Sequence, residues 1–104
     1  MGIIESDYRL RTPQEWQAFA HNGLGICHQA QGKLEEAIGE FRETLRISPN
    51  YAEAHYNLGE VFEAQGKPQE AIGCYQEFIH LAPPKYSSHV KTAEQRISQL
   101  RQKT

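Results

Sequence analysis

From Leu34 to Ile47, apolar side chains stand at helical spacing: Leu34, Ala37, Ile38, Phe41, Leu45 and Ile47. That spacing is the period of an α-helix with one buried stripe. A helix is expected before it as well, because Thr12, Pro13 and Glu15 form a capping-box start for a segment running from Pro13 to about Ala30. Along that segment Trp16, Ala20, Leu24, Cys27 and Gln31 step down the face expected to meet the second helix. Phe19, Asn22, Ile26 and Gln29 step down the adjacent face. Gly32 closes the first helix, and Asn50 with Glu53 three residues on predicts a capped third helix from Tyr51 to Ala64. Gly66 turns the chain, Pro68 opens a fourth helix, and Pro83 and Pro84 end it. Over residues 87–102, Val90, Ala93, Ile97 and Leu100 form a single narrow stripe on an otherwise polar and basic segment. This is the pattern of a terminal helix buried on one side only.

The pattern repeats. Residues 52–85 lie on residues 18–51 without a gap, with 15 identities over the period of 34. Leu24 and Gly25 answer to Leu58 and Gly59, Ala37 to Ala71, Phe41 to Tyr75, and Pro49 to Pro83. This resembles the tetratricopeptide repeat, whose 34-residue signature places Leu-Gly within the first helix, then Ala, an aromatic four residues later, and a closing proline. Small residues on each helix let the two backbones approach, an aromatic fills the space beside them, and proline stops the second helix. The resemblance implies an all-α fold, a right-handed superhelix of two helical hairpins plus a capping helix. Residues 1–11 then form a leader and residues 12–104 one domain, with repeats at 18–51 and 52–85 and the cap at 86–102.

Composition narrows the function. A chain of 104 residues with a formal net charge of -2 has no global attraction for nucleic acid or membrane surfaces. No apolar run reaches the length of a membrane span, and the start carries acids where a signal peptide needs a basic end, so a cytoplasmic protein is expected. Cys27 and Cys74 occupy different repeat positions and are expected to be ordinary thiols. The leader shows no clear helical period but is more apolar, at Ile3, Ile4, Tyr8 and Leu10, than a disordered tail needs; a partly ordered leader is expected, and docking into the protein's own groove or a neighbour's is the alternative.

His21, His55 and His89 recur at intervals of 34. Equivalent positions in stacked helices lie about 8–10 Å apart, too far to share one zinc ion, so these are read as packing histidines and no metal is expected. The serines lack a His and Asp at any recognisable spacing, there is no Gly-rich phosphate loop, and no cofactor or enzymatic activity is expected. Gly39 and Gly73 sit at the same place in the second helix of each repeat, where an exposed outer-face position tolerates them.

The resemblance further implies that the first helices of successive repeats line a concave groove holding a peptide or helix of a partner protein. By matching positions, the groove residues are Phe19, Asn22, Gly23, Ile26 and Gln29 from the first repeat. Glu53, Tyr56, Asn57, Glu60 and Glu63 come from the second repeat, and Val90, Lys91 and Glu94 from the cap. Phe19, Ile26 and Tyr56 are large apolar groups on a face that should otherwise be wet. The family's carboxylate clamp is not reproduced, since its positions read Asn22, Ile26, Asn57, Ser87 and Lys91. Residues 32–77 hold nine acids against four bases, and Glu53, Glu60 and Glu63 fall on the groove side. The expected partner is therefore an apolar protein segment carrying basic residues. Self-assembly, with the groove filled by the leader or by a second copy, is the alternative. A regulatory fragment of a larger protein and RNA binding through the basic last helix are further alternatives.

Overall fold

The computed structural model describes residues 12–103, which form five α-helices with no strand among them. The leader, expected to be partly ordered or else docked in a groove, lies outside the described residues. The helices are α1 (Pro13–Ala30), α2 (Leu34–Ile47), α3 (Ala52–Ala64), α4 (Pro68–Leu81) and α5 (Ser87–Lys103), with a 3-10 turn over Pro84–Tyr86 before the last. The α1–α2 and α3–α4 pairs are hairpins, α2 packs on α3, and α5 closes the stack against α4.

Local chemistry sets these boundaries. The Thr12 hydroxyl accepts from the Glu15 backbone N–H at 3.2 Å, and the Glu15 carboxylate accepts from the Thr12 N–H at 2.7 Å, the reciprocal pair of a capping box. The two hairpin turns hinge on Gly32 and Gly66, at φ 77° and 73°, a left-handed conformation that a β-carbon disfavours. One expectation at an end fails: the residue preceding α3 in the cap position is Tyr51, without a side-chain cap bond, and not Asn50. There the turn is closed by backbone bonds, Tyr51 N–H to Ser48 C=O and Ala54 N–H to Tyr51 C=O, so the asparagine amide is not needed.

The core is continuous from Ala37, Ile38 and Phe41 through Leu58, Val61 and Phe62 to Tyr75, Phe78, Ala93, Ile97 and Leu100. The stripe expected on α5 is thus buried at three of its four positions, with Val90 partly buried at the rim. In α1 the expected faces are corrected. The buried residues are Ala18, Asn22 and Gly25, spaced i, i+4, i+7, whereas Ala20, Leu24, Cys27 and Gln31 are exposed. The repeat explains the error. Leu24 is 49% exposed and its counterpart Leu58 is 5% exposed, because Leu58 lies between two hairpins and no hairpin precedes α1 among the described residues.

Candidate functional site

The side of the stack formed by α1, α3 and α5 carries a depression of about 340 Å³, with Ile26 on one wall, Glu53, Tyr56, Asn57 and Glu60 along its length, and Tyr86 and His89 opposite. Its floor is aromatic. Tyr56 meets Tyr75 and Phe78 edge to face at centroid distances of 5.6 and 5.0 Å, and His89 at 5.5 Å, while Tyr86 meets His89 at 5.7 Å. Such pairs lock ring orientations beyond simple area burial. A second depression of about 340 Å³ adjoins it through the shared Glu53 and Tyr86 and extends to Glu15, Phe19, Tyr51 and Lys85.

Several residues expected in the groove meet here. Ile26, Glu53, Tyr56, Asn57 and Glu60 line the first depression, and Phe19 lines the second. Phe19 and Ile26 are 50% and 47% exposed, an unusual degree for large apolar side chains. Gln29 donates to Glu60 Oε1 at 3.2 Å, so one oxygen of that carboxylate is anchored across the α1–α3 junction.

Other expected residues are elsewhere. Asn22 is only 5% exposed and is corrected from groove wall to interior, because it shares the α2-facing stripe with Ala18 and Gly25. Its Oδ1 accepts from Asn57 Nδ2 at 3.3 Å, which satisfies a buried amide and fixes the rotamer of Asn57. Glu63 is committed internally. It accepts from the Tyr75 hydroxyl at 2.7 Å and from Arg96 Nη1 at 3.0 and 3.1 Å, tying α3, α4 and α5 together. That carboxylate, after burial itself, holds the Tyr75 phenol far above its ordinary range. Val90 packs on the core, and Lys91, Glu94 and Gly23 are exposed outside the depression's lining.

The three spaced histidines have separate neighbours. His21 Nδ1 is 2.7 Å from Glu40 Oε1, His55 Nε2 is 3.1 Å from the Pro49 carbonyl, and the His89 ring stacks edgewise on Tyr56 and Tyr86. Among the described residues no three His, Cys, Asp or Glu side chains are grouped to hold a metal ion. No described helix is long and apolar enough to cross a membrane.

Residues 28–66 match the family described as TPR repeat, and residues 52–85 match the tetratricopeptide repeat. The chain belongs to the tetratricopeptide repeat family. No curated relative matches its sequence. Among solved structures it is similar to the type III secretion translocator chaperone SycD of Yersinia enterocolitica, with a TM-score of 0.76 at 19% identity over 80% of this chain. This tetratricopeptide repeat chain spans 59% of that chaperone's length, and the likeness at that identity concerns the fold.

Three lining residues of the depression lie outside the repeat-based assignment: Phe78, a buried core ring, Tyr86 and His89. Tyr86 falls at the position held by Ala18 and Ala52 in the two repeats, and this small-to-aromatic change in the third unit is the signal that marks it. The 34-residue spacing reads His89, in line with His21 and His55, as a packing residue. His89 lies at the mouth because no following helix covers α5 among the described residues.

Proposed function

We propose that this tetratricopeptide repeat protein is a non-catalytic adaptor that binds a segment of a partner protein across the face of α1, α3 and α5. The observation that carries the reading is the grouping of half-exposed Ile26, the Tyr56 ring and the pre-oriented Asn57 amide around one depression. Apolar contacts supply affinity there, and an amide able to both donate and accept grips a peptide backbone. The acidic lining favours a partner with basic residues, with binding weakened by salt. A cytoplasmic setting belongs to the same proposal.

A photocrosslinking residue placed at Ile26, compared with one at Gly39 on the opposite side, tests the assignment. A partner captured from position 26 and not from position 39 supports it. Equal capture from both positions refutes the groove as the binding face.

Leu24 favours a second reading, in which the α1 edge meets a second copy of the chain. Its half-exposure, beside exposed Cys27, contrasts with buried Leu58 and Val61 at the equivalent positions. Sedimentation equilibrium decides this: a dimer abolished by Leu24→Glu supports assembly, and a monomer at all concentrations rejects it.

A further inference from the structure

The depression between α3 and α5 pairs aromatic rings with two carboxylates, Glu53 and Glu60, that form no ion pair among the described residues. Among the described residues the ion pairs are His21–Glu40, Arg46–Glu43 and Arg96–Glu63, and neither Glu53 nor Glu60 enters one. Two described cations nearby are engaged differently. Arg96 is held on Glu63, and the Lys85 ammonium lies 5.2 Å from the centroid of the Tyr86 ring. That contact shows one ring of this wall already drawing a cation to itself. Tyr56 and Tyr86, bracketed by His89, present further aromatic surface to the depression, and both carboxylates border it.

From this geometry we infer that the depression is a receptor for one basic side chain of the bound segment, and that it takes arginine better than lysine. The inference rests on the proposed groove and names what the groove selects. A guanidinium is planar, stacks on aromatic faces, is more weakly hydrated than an ammonium and presents donors in a fork. Glu60, with one oxygen anchored by Gln29, and Glu53, hydrogen-bonded to the Tyr86 hydroxyl, supply the acceptors through their remaining lone pairs. A neutral side chain of the same shape leaves both carboxylates facing water or an apolar group, so charge decides the selection.

The test is an NMR titration of the whole chain with three short capped peptides that differ at one position: arginine, lysine and citrulline. Citrulline keeps the shape of arginine and removes its charge. The expected result is perturbation of the Tyr56, Tyr86 and His89 ring signals by the arginine peptide, with citrulline binding about tenfold more weakly or worse and lysine between them. Glu53→Gln with Glu60→Gln, two substitutions outside the buried core, should cost the arginine peptide a similar factor and leave the amide spectrum folded. Equal binding of arginine and citrulline overturns the receptor, as does no perturbation by the arginine peptide up to its solubility. Either of those outcomes leaves the groove itself to stand or fall on the crosslinking result.

Discussion

Gly59 lies directly against the ring of Tyr75. A β-carbon built at position 59 falls 2.7 Å from Tyr75 Cε1, and the equivalent β-carbon at Gly25 falls 2.5 Å from Phe41 Cε1. The aromatic rings are fully buried, so they cannot swing aside without displacing the hairpin core. Each hairpin therefore closes on the absence of a methyl group.

Gly59→Ala is expected to destabilise the fold by about 1–3 kcal/mol through overpacking, and Gly25→Ala by a similar amount. Urea denaturation of the variants measures this. A gain in stability, as helix propensity alone would give, is the contrary result.

Gly39 and Gly73 behave in the opposite way. Nothing lies within 4 Å of a β-carbon at either position, and both are helical and exposed. Gly39→Ala and Gly73→Ala are each expected to stabilise by about 0.5–1 kcal/mol, because alanine restricts the unfolded chain. The same denaturation series checks both.

Leu24 and Leu58 are the same residue at the same repeat position, yet their truncations should differ. Leu58→Ala empties a buried site and is expected to cost about 2–5 kcal/mol. Leu24→Ala, at a half-exposed site, is expected to cost less than about 1 kcal/mol. Equal losses would mean that α1 is covered as thoroughly as α3.

Alkaline pH should weaken the fold. Burial pushes the Cys74 thiol up to about 11 from an ordinary 9.0. Burial, then the hydrogen bond to and charge of Glu53, push the Tyr86 phenol up to about 12 from 10.0, and Tyr75 is raised further. The folded chain keeps these protons where the unfolded chain has lost them. The stability they contribute is therefore complete below about pH 9 and declines as pH rises towards 11 and beyond. Denaturation midpoints across that range measure the decline, and a flat profile contradicts it. Alkylation in native buffer should likewise label exposed Cys27 well before half-buried Cys74.

The helix boundaries were legible because they rest on local chemistry. Thr12 with Glu15, Gly32, Gly66 and Pro68 each act within a few residues of themselves, and each stands where its type demands. The face of α1 was not legible in the same way. Leu24 and Leu58 carry identical local signals, and only the presence of a hairpin on one side separates their environments. The candidate site divides likewise. Ile26, Tyr56, Asn57 and Glu60 followed from repeat position, whereas Asn22 turned inward with Ala18 and Gly25. Glu63 was claimed by Tyr75 and Arg96, which are 12 and 33 residues away.

By itself, the sequence determined that this protein is a pair of helical hairpins with a capping helix. The 34-residue period, the glycine turns and the apolar stripes are each set by short-range backbone and side-chain chemistry. Tertiary structure alone decided which of two equivalent leucines is buried, that Glu63 is ion-paired while Glu53 and Glu60 enter no ion pair among the described residues, and that Tyr86 and His89 complete the wall of a depression with Tyr56. Those outcomes depend on which helix lies across the stack, and packing between helices is not written in the spacing along any one of them.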